Sequence, residues 1–298
     1  MVSIRAQVVK SLLRVANRRV VYDASSIAGK RSSFEKNLSL VLPNSSRYVR
    51  RRIIADVPVD IVDVGQNTKR AIVYLHGGGF VMGSTKAYRQ HLKRISKLCA
   101  ARVYAIDYTL SPEAPYPQAL NEIQEVWEML LAEREVDPAH TTFMGDSAGA
   151  NLALVSLLRF RDADISMPAS LVLLSPFLDM TLGGSSYRDK ATDDPLLTKE
   201  KVKYFADSYV GITDKRNPYI SPVFATLKGL PPILIHVGED EILLSDARMF
   251  AENAKRDGVD ATLFLGAGMW HGWHVFAAYV PEARRAMESI ARFVSIHK

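Results

Sequence analysis

Cysteine is almost absent from this chain of 298 residues, in which Cys99 is the only one. A single thiol cannot form an internal disulfide, and it cannot supply a zinc site built from several thiolates. The sequence therefore needs no oxidising compartment, and the cytoplasm is the predicted location.

Long apolar runs are also absent. No stretch of the sequence reaches the 18 or so apolar residues that cross a bilayer. The first twenty residues are interrupted by cations, among them Arg5, Lys10 and Arg14, and so they lack the apolar core of a secretory signal. No membrane span and no export signal are predicted.

Acidic side chains are scarce at the start of the chain. Residues 1–52 hold twelve lysines and arginines against only Asp23 and Glu35, a local net charge of +10 in a chain of net charge +6. A basic, amphipathic segment can touch nucleic acid or anionic lipid. The favoured interpretation is a surface helix with a solvated basic face and with Val8, Leu12, Leu13 and Val15 packed inward. No nucleic-acid-binding motif accompanies the charge, so no nucleic-acid partner is predicted.

The remaining chain alternates between apolar runs typical of strands and the periodicity typical of helices. Residues 52–64 alternate apolar and polar side chains around Pro58, which indicates an edge strand. Short apolar runs then predict strands buried on both faces, at 71–75, 102–108, 141–145, 170–175, 233–238 and 261–266. Helical periodicity appears at 86–100, 119–136, 148–160, 246–258 and 281–298. This alternation predicts an α/β fold with a mostly parallel sheet covered on both sides.

One long segment, residues 178–223, contains no predicted strand. It is polar and holds one helical piece, from about Thr198 to Tyr209. A connection of this length is more typical of an insertion over an active-site face than of a plain loop.

The sharpest motif is Gly145-Asp146-Ser147-Ala148-Gly149, which follows a predicted strand and precedes a predicted helix. A nucleophilic serine on a tight strand-to-helix turn needs small neighbours, because the two elements approach closely there. The alternative is a chance pentapeptide in a turn. The flanking strand and helix favour the nucleophile.

A second motif is His76-Gly77-Gly78-Gly79-Phe80, which follows the strand at 71–75. Three glycines let backbone N–H groups converge on one point, as an oxyanion hole requires. A phosphate-binding loop is the alternative, but the sequence matches neither G-x-G-x-x-G nor G-x-x-x-x-G-K-[ST].

Together, HGGGF at 76–80 and GDSAG at 145–149 resemble the paired motifs of the hormone-sensitive lipase family, family IV of bacterial esterases. The resemblance extends from about Arg70 to the C-terminus and includes DYTLSPE at 107–113 and SPFLD at 175–179. It implies an α/β-hydrolase fold with a helical cap, and a carboxylesterase that needs no metal or organic cofactor. On this basis residues 1–52 form part of the cap, and residues 53–298 form the catalytic domain with a cap insertion at about 178–223.

The resemblance also implies a triad in the order serine, acid, histidine. From the residues alone, the acid follows the strand that ends at Gly238, where Glu239, Asp240 and Glu241 are consecutive, and the histidine follows Gly266. The family pattern selects Asp240 as the acid. It selects His271, which precedes a glycine, over His274. Asp246 is the rival acid, and its alternative role is that of a carboxylate at a helix start.

Other residues receive supporting roles. By motif match, the backbone amides of Gly78, Gly79 and Ala148 are the expected oxyanion donors. Asp146 and Glu113 are expected to brace loops, His76 to support the glycine loop, and His236 to lie in the core.

The predicted activity is hydrolysis of small carboxylic esters with short to medium acyl groups through an acyl-enzyme. Two alternatives stay open: an amidase or peptidase of the same fold, and a non-catalytic ligand-binding receptor on that fold. A homodimer also stays open.

Overall fold

Parallel strands form the centre of the molecule. The computed structural model describes residues 2–19, 26–42, 45–65 and 69–297, and within them eight strands form one sheet in the order β1-β2-β4-β3-β5-β6-β7-β8. The strands are β1 (Val49–Ile54), β2 (Val57–Val62), β3 (Ala71–Leu75), β4 (Arg102–Ile106), β5 (Thr141–Asp146), β6 (Ser170–Leu174), β7 (Ile233–Gly238) and β8 (Ala261–Gly266). From β4 to β8 across the sheet all neighbours are parallel, whereas β2 runs antiparallel to β1 and β4. The predicted α/β class is confirmed.

Residues 52–64 differ from their prediction, since they are not one edge strand. β1 and β2 form a hairpin that turns at Ala55 and Asp56, which both have positive φ angles (50° and 62°). Such angles belong to the two-residue turn that matches strand twist. The sheet edge is β1. Pro58 in β2 is paired with Ile53 of β1, and its carbonyl accepts the Asp107 amide at 2.9 Å, just beyond the end of β4.

The last predicted strand also differs in burial. β3, β5, β6 and β7 are buried along their whole length, as expected for strands covered on both faces. In β8 only Gly266 is buried, and its other side chains alternate between partly buried and exposed. The reason is position, because β8 forms the other edge of the sheet.

Helices cover both faces of the sheet. They are α1 (Ile4–Arg19), α2 (Ile27–Val41), α3 (Thr85–Cys99), α4 (Gln118–Ala132), α5 (Ala148–Asp162), α6 (Ser186–Asp189), α7 (Lys199–Val210), α8 (Leu244–Arg256) and α9 (Pro281–Ile296). α3 and α9 share one apolar core with one face of the sheet, and α4, α5 and α8 share a second core with the other face. The predicted helices are confirmed, with ends that differ by a few residues.

The packing of α1 differs from its prediction at three of the four residues. Leu13 packs inward as predicted, but with Ala6 and Val9. Val8, Leu12 and Val15 are exposed. Both sets of residues repeat at helical spacing, so the sequence pattern alone could not choose between them.

The predicted domain division stays a prediction. Its boundary after residue 52 falls inside β1, and residues 1, 20–25 and 43–44 of the N-terminal region lie outside the described residues, as do the side chains of 17–19. Among the helices of the described ranges, none has the length and apolar character to cross a bilayer.

The sheet brings the motifs together because parallel strands end at the same edge. Ser147 follows β5, the glycine loop follows β3, the acidic turn follows β7, and His271 follows β8. Ligand sites in parallel α/β sheets form at this carboxyl edge.

Candidate active site

Ser147 sits on a strained turn between β5 and α5. Its backbone angles are φ 55° and ψ −119°, a region that side-chain-bearing residues rarely occupy. The flanking glycines make the turn possible. A Cβ on Gly145 would lie 2.3 Å from the carbonyl oxygen of Gly149, and a Cβ on Gly149 would lie 2.1 Å from the carbonyl oxygen of Leu75. The Ser147 amide donates to the Leu174 carbonyl at 2.8 Å, which joins the turn to β6.

His271 faces this serine. Its Nε2 lies 3.0 Å from Ser147 Oγ, within hydrogen-bond reach of the group it would deprotonate. The next residue, Gly272, has a left-handed backbone (φ 64°), and its amide donates to Ser175 Oγ at 3.1 Å. The histidine is therefore held by the backbone of its own turn.

A glutamate completes the arrangement. Glu241 Oε2 lies 3.1 Å from His271 Nδ1. Its other oxygen, Oε1, accepts hydrogen bonds from Ser175 Oγ at 2.7 Å and from the Gly238 amide at 2.6 Å. Both carboxylate oxygens are thus engaged, and the side chain is fully buried.

The structure corrects the predicted partner of His271 from Asp240 to Glu241. Asp240 instead forms ion pairs with Lys10 of α1 and with Lys190, the latter at 3.7 Å. Two backbone hydrogen bonds fix the turn: the Glu239 amide donates to the Gly266 carbonyl and the Asp240 amide to the Met269 carbonyl, both at 3.0 Å. This geometry directs residue 241 inward.

The predicted oxyanion amides belong to two neighbouring segments. Within the described residues, the amides of Gly78, Gly79 and Ala148 donate no hydrogen bond to a protein acceptor. Gly78 and Gly79 both have positive φ (131° and 63°). A Cβ on Gly78 would lie 1.9 Å from the Met82 carbonyl oxygen, and one on Gly79 would lie 2.4 Å from the Phe205 ring of α7. Only glycine fits at either position.

Comparison with known proteins shows the family to which this chain belongs. A family profile described as an alpha/beta hydrolase fold matches residues 72–275. An esterase of Acinetobacter venetianus is 36% identical over 85% of this chain and 83% of its own length. The putative acetyl-hydrolase LipR of Mycobacterium tuberculosis is 34% identical over 97% of this chain and 93% of its own.

Solved structures agree with these sequences. The crystal structure of an esterase from the bacterial hormone-sensitive lipase family superposes with a TM-score of 0.92 at 34% identity, over 99% of this chain and 98% of that one. This chain belongs to the hormone-sensitive lipase family. It is a carboxylic ester hydrolase with the α/β-hydrolase fold.

The rival acid of the esterase, Asp246, has partners other than His271. It lies in the first turn of α8, as predicted, but its Oδ2 accepts the amides of Leu178 and Asp179 and the hydroxyl of Tyr187, at 2.9–3.0 Å. Burial, and then the charge of Asp179, raises the pKa of this carboxyl well above its ordinary value. Asp246 therefore holds the chain that follows β6.

Asp146 braces the glycine loop, as predicted. Its Oδ1 accepts the Tyr74 hydroxyl at 2.7 Å and the Gly77 amide at 2.9 Å, and its Oδ2 accepts the Tyr88 hydroxyl at 2.9 Å. His76 also supports this loop, since it is buried and stacks on Tyr108 with ring centroids 4.5 Å apart. The loop and the nucleophile turn thus share one buried carboxylate.

Glu113 also braces loops, as predicted. Both of its oxygens accept hydrogen bonds from the Arg31 guanidinium of α2, at 2.9 and 2.7 Å. The same guanidinium donates to the carbonyls of Val81 and Ser111. α2 is therefore attached to the segment that follows the glycine loop.

Two further histidines of the esterase belong to the core. His236 Nδ1 lies 3.3 Å from His274 Nε2, and both rings are buried. Burial lowers the pKa of His236 to about 3, and burial together with neighbouring histidines lowers the pKa of His274 well below its ordinary value. Neither ring is charged at neutral pH.

Another buried carboxylate, Asp194, acts on the site electrostatically. It accepts the amides of Leu196 and Leu197 through Oδ1 and the amide of Ile242, next to Glu241, through Oδ2. Burial raises the pKa of Asp194 to about 6. Burial also lowers the pKa of His271, but the hydrogen bond and charge of Glu241, followed by the charge of Asp194, outweigh it, so the His271 pKa is raised.

Sequence reasoning missed three residues: Glu241, Ser175 and Asp194. Glu241 was visible as one of three consecutive acids, any of which can follow the strand. Ser175 is the first residue of the SPFLD motif at 175–179, but nothing in that motif predicts a contact with the catalytic acid. Asp194 directly follows another aspartate, Asp193, and the sequence does not distinguish them. In the structure Asp194 is buried, whereas Asp193 pairs with Lys190 at the surface.

Proposed function

We propose that the esterase hydrolyses small carboxylic esters with short to medium acyl groups through an acyl-enzyme on Ser147. The observation that carries the proposal is the pair of contacts on one imidazole. His271 Nε2 lies 3.0 Å from Ser147 Oγ, and His271 Nδ1 lies 3.1 Å from Glu241 Oε2. A serine, a base and an orienting acid in hydrogen-bond sequence are the requirements for an activated nucleophile.

In the proposed reaction, His271 takes the Ser147 proton as Oγ attacks the ester carbonyl. Glu241 accepts the Nδ1 proton in a hydrogen bond, which selects the correct tautomer and stabilises the imidazolium. His271 then gives its proton to the leaving alcohol. Water attacks the acyl-enzyme by the same route and releases the acid, so no cofactor takes part.

The negative oxygen of each tetrahedral intermediate needs hydrogen-bond donors. We assign this role to the amides of Gly78, Gly79 and Ala148, whose N–H groups are not used by protein acceptors in the described ranges. Loss of one such donor costs on the order of 3 kcal/mol in other enzymes.

The acyl preference is proposed from the segments above the site. α7 of the 178–223 insertion touches the glycine loop, since Tyr209 stacks on Phe80 with centroids 3.8 Å apart and Phe205 contacts Gly79. α1 and α2 reach the same region through Lys10 and Arg31. We propose that these parts form the cap. A covered site limits the length of acyl chain that fits.

A panel of p-nitrophenyl esters tests this proposal. We expect butyrate and hexanoate esters to be cleaved with a kcat/KM at least about tenfold above long-chain esters, because one unaccommodated methylene already changes binding by about 1 kcal/mol. Emulsified triglycerides should be poorer still. A preference for long-chain emulsions would contradict the covered site.

Two compounds added to this panel, an anilide and a phosphonate, separate the two alternative functions. An anilide matched in acyl chain to the best ester should be cleaved much more slowly than that ester, and faster anilide cleavage would favour an amidase. A serine-directed phosphonate should label Ser147 and stop turnover. A receptor on this fold would bind the ester without turnover, and the three aligned side chains argue against it.

The pH profile should reflect His271. Because the neutral imidazole is the base, kcat/KM should rise with pH, and because the His271 pKa is raised, the midpoint should lie above the ordinary histidine value of about 6.5. Asp194→Asn removes one charge that raises this pKa, so it should move the midpoint to lower pH. An unmoved midpoint in that variant would contradict the electrostatic role of Asp194, and a flat profile between pH 5 and 8 would contradict a histidine base.

A further inference from the structure

α1 has one face attached to the protein. Ala6, Val9 and Leu13 pack into the core shared with α3 and α9. Lys10 pairs with Asp240, and the Ser3 hydroxyl donates to Glu282 at 2.8 Å. These contacts fix the rotation of the helix about its axis and therefore fix which residues point outward.

The outward face is apolar. It carries Ile4, Val8, Leu12 and Val15, which are 79%, 52%, 64% and 52% exposed. At 100° per residue these four positions fall within an arc of about 80° on one side of the helix. Single exposed apolar residues are ordinary, but four in register on one helix mark a contact surface.

The charged residues of α1 itself all have one sign. α1 contains five basic residues and no acidic one. Arg5 and Arg14 are exposed, and the segment 1–52 as a whole carries a net charge of +10. An apolar stripe bordered by cations is complementary to a surface that offers both apolar chains and negative headgroups.

We propose that the outward face of α1, defined by Ile4, Val8, Leu12 and Val15, binds the surface of a membrane that contains anionic lipid. The helix lies in the plane of the headgroups, with the stripe toward the acyl chains and the arginines toward the phosphates. Nucleic acid fits less well, since phosphates would bind the cations and leave the stripe exposed. A second copy of this chain also fits less well, because the cations of one α1 would face the cations of the other.

The attachment of α1 places this surface near the chemistry. Lys10, on the inward side, pairs with Asp240, the residue before Glu241. The stripe is therefore about one helix diameter, roughly 10 Å, from the turn that holds the acid. Esters dissolved in the membrane surface would be concentrated close to the site, whatever acyl length the site prefers.

Cosedimentation with lipid vesicles tests the proposal. Wild-type protein should bind vesicles of phosphatidylcholine mixed with phosphatidylglycerol, bind pure phosphatidylcholine much more weakly, and detach from the mixed vesicles at high salt. The double variant Val8→Ser/Leu12→Ser should lose affinity for the mixed vesicles by about tenfold or more, because two side chains no longer enter the acyl region.

Matched controls come from exposed isoleucines elsewhere. Ile53 in β1 and Ile296 at the end of α9 are 62% and 72% exposed, and Ile53→Ser/Ile296→Ser should bind vesicles like wild type. All variants should hydrolyse soluble p-nitrophenyl butyrate at the wild-type rate, which verifies that they are folded. The single variant Leu12→Gln serves if the double variant does not fold.

Three results would overturn the proposal. The first is absence of wild-type binding to the anionic vesicles. The second is equal binding by the stripe and control variants. The third is a wild-type dimer in sedimentation velocity that the stripe variant converts to a monomer without any change in vesicle binding, which would assign the face to a second copy.

Discussion

Ser147→Ala is expected to lower kcat for p-nitrophenyl butyrate by about 10⁶, the scale of the loss when the nucleophile of subtilisin is removed. The substitution deletes one oxygen, the atom 3.0 Å from His271 Nε2. Without it no acyl-enzyme forms, whereas the oxyanion amides and the substrate contacts stay. Residual activity should therefore still exceed the uncatalysed rate.

The control for this variant is Ser156→Ala. Ser156 lies in α5, the helix that follows Ser147, and is buried, but its hydroxyl has no hydrogen-bond partner in the described residues. The same chemical change there should leave kcat within about threefold of wild type, since it breaks no contact of the site. Near wild-type turnover by Ser147→Ala, with both variants melting normally, would remove Ser147 from the mechanism.

Glu241→Gln is expected to lower kcat by about 10⁴, the loss measured when the triad acid of a trypsin-type enzyme becomes an amide. An amide can present N–H to His271 Nδ1 and so favour the wrong tautomer. It also lacks the charge that stabilises the imidazolium. In addition, its one oxygen cannot serve His271 while it accepts from Ser175 and Gly238.

The matched control is the adjacent acid. Asp240→Asn should keep kcat close to wild type and cost about 0.2 to 1 kcal/mol of stability, because its ion pairs with Lys10 and Lys190 are partly solvated. Asp246→Asn should act on stability, since it disturbs three buried hydrogen bonds. An inactive Asp240→Asn beside an active Glu241→Gln would return the acid to Asp240. Kinetics and melting temperatures of all three variants decide the matter.

The acid shows where sequence information ends. Strand and helix positions followed from apolar periodicity, and Ser147 followed from a motif in its required context. Three consecutive carboxylates after Gly238 are equivalent by those criteria. The turn that distinguishes them is set by hydrogen bonds to the carbonyls of Gly266 and Met269, about thirty residues later in the chain. The local sequence around residues 239–241 therefore does not predict which carboxylate points toward His271.

Two of the other differences have similar causes. The sequence predicts one strand across Ala55 and Asp56 because the positive φ angles of this hairpin occur without glycine, the usual signal for such a turn. In α1, residues 6, 9 and 13 compete with 4, 8, 12 and 15 for the inward position. Contacts from Lys10 and Ser3 to distant acids decide the outcome.

The close approach at Gly149 has a consequence for protein engineering. A Cβ there would lie 2.1 Å from the Leu75 carbonyl oxygen and 2.5 Å from that of His76. The backbone of the nucleophile turn therefore packs directly against the residues at which the glycine loop begins. The two motifs, about seventy residues apart in the chain, therefore form one packed structural unit. A nucleophile turn grafted from another hydrolase would work here only if its companion loop were transplanted with it.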